Sequence, residues 1–204
     1  MRVLIGCEKS SRVRDAFIAK GHDAWSCDLE PSDVGGNHLQ CDVLTVLDRK
    51  WDLMIAHPTC QYLSVSGIHW NNRGRGWEET EKALYFVRTL MSAPIPKIAI
   101  ENPVSIISSR IRKPNFRLQP YDFGDSASKS TCFWTKNLPN ITPDPALRVA
   151  GRVVEWPKGS GKFVERWDNQ TDSGQNKLPP GDKRAEHRAV TYLGIAKALA
   201  DAWG

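Results

Sequence analysis

The chain has 204 residues, 40% of them hydrophobic and 25% charged, with a formal net charge of +5. That length carries one domain with a sizeable core, and the composition is that of a folded domain rather than a disordered tail. No apolar run approaches the roughly 20 residues that cross a bilayer, so a membrane span is excluded, while the mild basic excess leaves room for a polyanionic partner.

The elements follow in chain order. Residues 2–6 read as a short buried strand. Residues 11–20 have helical spacing, with Val13, Phe17 and Ile18 apolar and Gly21 as a C-terminal stop. Residues 23–27 form a second strand, closed by Asp28-Leu29-Glu30-Pro31, and 32–37 form a polar, Gly-rich loop. A short strand is expected over 39–43, a helical turn near 44–47, and a strand over 51–56. Residues 64–78 read as a long polar loop. Residues 79–91 are an amphipathic helix, with Ala83, Phe86, Val87 and Leu90 on one face. The strand at 97–100 completes a repeated strand–helix pattern, which predicts a parallel sheet with right-handed crossovers. Beyond it, a strand is expected at 130–135. A hairpin is expected from 152–156 and 162–167 around Pro157-Lys158-Gly159-Ser160-Gly161. A loop is expected over 168–183 and a closing helix over 189–203. The fold class is α/β, Rossmann-like, a single domain over 1–204 with a β-hairpin extension within 136–187.

The five cysteines, Cys7, Cys27, Cys41, Cys60 and Cys132, are odd in number and none is spaced as C-x-x-C. This argues against a disulfide framework or a metal site and for a reducing cytoplasm. The N-terminus turns charged after one short apolar run, unlike a secretory leader. The eight tryptophans serve as core bulk or as surfaces on which bases stack.

Reactive groups collect where strands end. Cys60 follows the 51–56 strand in the run His57-Pro58-Thr59-Cys60-Gln61, and Glu101-Asn102-Pro103 follows the 97–100 strand. Open α/β sheets place their sites at the carboxyl ends of strands, so a thiol and a carboxylate here predict covalent chemistry with acid assistance. Gly6-Cys7-Glu8-Lys9-Ser10-Ser11 lacks G-x-G-x-x-G and so does not identify a dinucleotide cradle. Glu8, Asp28 and Asp42 close three successive strands. They fit a ring around an adenosine, and Asp28 and Asp42 equally fit turn residues or helix caps.

Several of these segments together resemble the DNA (cytosine-5)-methyltransferases, and more narrowly the short bacteriophage-encoded proteins of that type. Pro58-Thr59-Cys60-Gln61 resembles the Pro-Pro-Cys-Gln nucleophile loop, and Glu101-Asn102-Pro103 the Glu-Asn-Val element. Phe123-Gly124 with Ala127, Lys129 and Thr131 resembles Tyr-Gly followed by Gln-x-Arg-x-Arg. The chain departs from the family in its first motif, at Thr131, in Arg188-Ala189 where an asparagine is expected, and in a short region between the last strand motif and the closing helix.

The resemblance implies transfer of a methyl group from S-adenosylmethionine to carbon 5 of cytosine in DNA, with the base flipped out of the duplex. It implies Cys60 as nucleophile, Glu101 as acid and Lys129 as a further catalytic group. The cofactor would be held by Gly6, Cys7, Glu8, Asp28, Leu29, Asp42 and Pro58. The substrate would be held by Gln61, Ser64, Asn102, Arg73, Arg75 and Thr131, with residues 64–77 as a closing loop and 136–187 as a reduced recognition element. Two alternatives stay open: the same chemistry on a free cytidine nucleotide, and a non-catalytic DNA-binding homologue.

Overall fold

The structure, a computed structural model, describes residues 1–179, 181 and 184–204, and the backbone alone at 185 and 186. Pro180, Asp182 and Lys183, at the end of the expected 168–183 loop and inside the expected recognition element, lie outside the described residues.

In chain order the elements are β1 (Arg2–Gly6), α1 (Arg12–Ala19), β2 (Asp23–Asp28), β3 (His38–Gln40), β4 (Leu53–Ala56), α2 (Val65–Ile68), α3 (Glu78–Met91), β5 (Lys97–Pro103), α4 (Ile107–Arg110), β6 (Phe116–Leu118), β7 (Thr131–Lys136), β8 (Arg152–Glu155), β9 (Phe163–Arg166), α5 (Arg184–Ala189) and α6 (Leu193–Trp203). Seven strands form one sheet in the order β3-β2-β1-β4-β5-β7-β6, and β8 pairs with β9 alone. The run 3-2-1-4-5 is that of a doubly wound Rossmann-like sheet, whose strand order reverses beside β1. The α/β expectation holds, with one correction: β7 runs antiparallel between β5 and β6. The sheet is therefore mixed, not wholly parallel.

Strand periodicity builds the two cores. In β4 all four residues are buried, as a strand covered on both faces requires. Met54 and Ala56 pack into one cluster with Leu4, Leu84, Val87 and Leu90. Leu53 and Ile55 pack into the other with Val3, Ile5, Phe17, Leu199 and Trp203. Successive side chains point to opposite faces, so α3 covers one face and α1 with α6 the other. Fully burying each such side chain stabilises by about 1.5–3 kcal/mol.

Other boundaries move for identifiable reasons. β5 extends through Pro103, past the expected end at 100, because β7 continues the ladder from Phe133 to Thr131 after β4 has stopped. The expected loop at 64–78 contains α2 and a 3-10 turn at Asn71–Arg73. The closing helix is two helices, α5 and α6, broken at 190–192. Gly194 explains the break: a Cβ there would lie 1.9 Å from the Phe123 carbonyl oxygen, and its N–H donates to Asp125 Oδ2 at 3.0 Å. The start of α6 is thus docked against another segment rather than continued from α5. The β8–β9 hairpin is anchored at its base, where Trp167 stacks on Tyr121 with ring centroids 3.8 Å apart.

Candidate active site

β1, β2, β4 and β5 end along one edge of the sheet. There the chain turns out at Cys7, after Asp28 and at His57, while β5 carries Glu101 one residue past the end of β4. The β4 exit is held from two sides. His57 N–H donates to the Gly6 carbonyl at 2.9 Å, and Asn102 Nδ2 donates to the Pro58 carbonyl at 2.8 Å. Pro58 is buried, whereas Thr59, Cys60 and Gln61 are exposed. The turn closes through the Cys60 carbonyl, which accepts from the N–H groups of Leu63 and Ser64. Gly67 then passes so close that a Cβ would sit 2.1 Å from the Gln61 carbonyl oxygen.

Glu101 is buried and accepts a hydrogen bond at Oε2 from His57 Nδ1, 3.0 Å away. Burial alone would raise its carboxyl. The His57 hydrogen bond, the Lys129 charge and the His57 charge outweigh that and hold it below the ordinary glutamate range. Crowding and the Glu101 charge push the Cys60 thiol up, and the positive charges of Lys129 and Arg188 partly offset them. Cys60, Glu101 and Lys129 are therefore one electrostatic cluster, built from β4, β5 and the segment before β7. Lys129 is held by its own N–H to Gln119 Oε1 at 3.0 Å, and its Nζ reaches the Val190 carbonyl at 3.5 Å.

The β1–β3 ends look different. Glu8 is buried, and its carboxylate accepts from the N–H groups of Val13 and Arg14 and from Ser10 Oγ. Its side chain thus serves the first turn of α1 instead of a cofactor, a favourable place for negative charge. Asp28 Oδ1 accepts from the Glu30 N–H at 3.0 Å, and Asp42 Oδ1 caps the 3-10 turn at Val43–Val46 through the Leu44 N–H at 2.9 Å. Both are the turn residues that spacing had allowed, and among the described residues each uses one carboxylate oxygen. Leu29 is 73% exposed beside Asp28. Gly6 packs tightly, since a Cβ would meet Val43 Cγ2 at 2.9 Å. Cys7 adopts φ 58° at the turn, and burial with the Asp28, Cys27 and Asp42 charges raises its thiol strongly.

Several residues expected to touch substrate have internal partners instead. Asn102 is the clamp on Pro58. Ser64 caps α2 by accepting from the Gly67 N–H at 3.1 Å. Arg75 donates to Asn71 Oδ1 and the Gly67 carbonyl and lies over the Tyr62 ring at 4.9 Å, so it braces the 62–77 segment. Thr131 is buried and donates to the Lys129 carbonyl. Gln61 and Arg73 remain exposed near Cys60 and on the 3-10 turn. From sequence, His57 reads either as a helper of the Cys60 thiol or, as a lone histidine more often is, as a structural donor. Its only signal was its place three residues before Cys60, and that does not reveal a partner on β5.

Among the described residues no group of three His, Cys, Asp or Glu side chains could hold a metal ion. No described helix is long and apolar enough to cross a membrane.

No protein-family model matches the chain, and no curated protein matches it. Among solved structures, it is similar to a protein described as a prophage-encoded DNA modification methyltransferase from E. coli, at 13% identity and a TM-score of 0.44. The similarity covers 66% of this chain and 46% of that one, so the chain spans less than half the length of that structure.

Proposed function

We propose that the chain is a methyltransferase that acts on carbon 5 of cytosine in DNA through a covalent adduct with Cys60. One observation carries the reading. An exposed thiol and a buried carboxylate leave adjacent strands at the same sheet edge, with the thiol's loop clamped by the residue after the carboxylate. Addition of the Cys60 thiolate to carbon 6 makes carbon 5 nucleophilic. Glu101, a carboxylate in the free chain, takes up a proton as the base binds and donates it to ring nitrogen 3, where the negative charge develops. After methylation, loss of the carbon 5 proton expels the Cys60 thiolate. Lys129, positive and coupled to both, favours the thiolate.

The β1–β3 end fits a nucleoside-bearing cofactor. Asp28 and Asp42 each keep one carboxylate oxygen free of the turns they cap, and Leu29 offers an exposed apolar face. S-adenosylmethionine held there would supply an electrophilic methyl group. The free carboxylate oxygens would take ribose hydroxyls, and Leu29 would lie against the adenine. The formal net charge of +5 and the exposed Trp70 and Arg73 on the segment after Cys60 support a polyanionic, base-bearing substrate such as DNA.

The test is methyl transfer from labelled S-adenosylmethionine to DNA, read as 5-methylcytosine by nucleoside mass spectrometry. DNA containing 5-fluorocytosine should trap the wild-type chain covalently and leave Cys60→Ser untrapped. Full transfer by Cys60→Ser overturns the proposal. Transfer only to a free cytidine nucleotide moves the substrate but keeps the chemistry.

A further inference from the structure

His57 is placed for more than filling the β4 exit. Its side chain is 8% exposed and that of Glu101 10%. The Nδ1 atom meets Glu101 Oε2 at 3.0 Å, and Glu101 Oε1 makes no hydrogen bond among the described residues. At the other side of the ring, Nε2 is sealed from solvent and has no hydrogen-bond partner among the described residues. Buried polar atoms are rarely left so. The ring and Glu101 border a cavity of about 10 Å³, which Lys129, Thr131, Thr191 and Tyr192 also line.

With no partner at Nε2 among the described residues, the carboxylate at Nδ1 is the group that fixes the ring and draws its proton to Nδ1, since the bond at one ring nitrogen decides the state of the other. The Nδ1–H then points at Oε2. A carboxylate gripped at one oxygen cannot rotate freely, and its second oxygen is presented in a fixed direction.

We propose that His57 is the positioning residue of Glu101. It holds Oε2 so that Oε1 is the oxygen offered to the substrate ring. The proposal rests on the role given to Glu101 above and adds the residue through which that role is set. The charged and titratable groups facing the pair are Lys129 before β7, Cys60 after β4, Cys132 on β7, which feels the Glu101 charge, and Arg188 on α5, which acts on Cys60. Tyr192, just before α6, closes the cavity.

The experiment compares His57→Phe, which keeps a ring but removes the donor, with His57→Asn, whose amide places a donor near the Nδ1 position. The first readout needs no methyl transfer: titration of the Glu101 carboxyl by carbon-13 NMR on the folded chain. In the wild type it should titrate below the ordinary glutamate range. It should move up in His57→Phe, because burial is then opposed by less, and return toward the wild type in His57→Asn. The second readout is single-turnover methyl transfer. His57→Phe should lower the rate about 10²-fold, the scale of a misplaced catalytic group, with DNA affinity unchanged, and His57→Asn should recover most of it. If His57→Phe does not fold, His57→Leu takes its place. An unmoved Glu101 titration in the donor-free variant overturns the proposal, as does an unchanged single-turnover rate in an active enzyme. A titration that moves as expected in a chain without methyl transfer upholds the pair and overturns the reaction assigned to it.

Discussion

Asn102 Nδ2 donates to the Pro58 carbonyl oxygen at 2.8 Å, both residues buried, and so ties the strand that carries Glu101 to the turn that carries Cys60. The contact joins two neighbouring parallel strands beside the His57–Glu101 hydrogen bond and the backbone bonds from Ile106 N–H to the Leu63 carbonyl and from Val65 N–H to the Val104 carbonyl. It makes the relative position of thiol and carboxylate a property of the core rather than of two loops.

Asn102→Ala should therefore leave a buried carbonyl without its donor and cost about 1–3 kcal/mol of stability. Urea denaturation checks the cost. The same variant should alkylate faster at Cys60 than the wild type, because the turn is no longer pinned. Unchanged stability would mean that water replaces the amide at Pro58.

Gly67→Ala should be more damaging than an ordinary surface change. The added Cβ would meet the Gln61 carbonyl oxygen at 2.1 Å, and that atom is backbone one residue from the nucleophile. Relief requires moving α2 or the Cys60 turn, a strain of about 1–3 kcal/mol. A lower melting temperature with reduced covalent trapping on 5-fluorocytosine DNA is the expected result.

The raised Cys60 thiol gives a pH dependence with a definite sign. A thiol whose folded value lies above the ordinary one is protonated at neutral pH, so iodoacetamide alkylation should accelerate as pH rises past the range of a free cysteine. Glu101 contributes to the raising and Lys129 opposes it. Glu101→Gln should thus shift the alkylation midpoint down, and Lys129→Met should shift it up. Mass spectrometry of Cys60 alkylation across pH reads both, and a shift of the same sign in the two variants would break the electrostatic account.

Asp28→Ala should weaken S-adenosylmethionine binding by about 1.5–3 kcal/mol, the scale of hydrogen bonds to a charged acceptor. Calorimetry on the folded variant measures it. The loss of its contact to the Glu30 N–H is confined to an exposed turn, so the melting temperature should change little. Unaltered affinity would place the cofactor elsewhere than across the β2 end.

The strands at 3–5 and 53–56 were legible as continuous apolar runs of strands covered on both faces, α1 and α3 from helical spacing, and the hairpin from alternation around a Gly-rich turn. Strand-end placement likewise pointed to Cys60, Glu101 and Asp28 from local order. The antiparallel β7 was not legible. Its residues read as a strand in either direction, and only the ladder from Ile98↔Lys136 to Pro103↔Thr131 decides the sense. That same ladder moves Glu101 from a loop into a buried strand. Nor did sequence order reveal which polar side chains are occupied. Glu8, Ser64, Arg75 and Asn102 carry the right chemistry for a site, yet each spends it on backbone or side-chain partners brought near by folding. His57 is the converse: a lone histidine in the sequence acquires its role from a carboxylate 44 residues away in the chain. Periodicity along a chain records which face of an element is buried. The partner of a polar atom is a three-dimensional fact, and here only the packing of β4 against β5 supplies it.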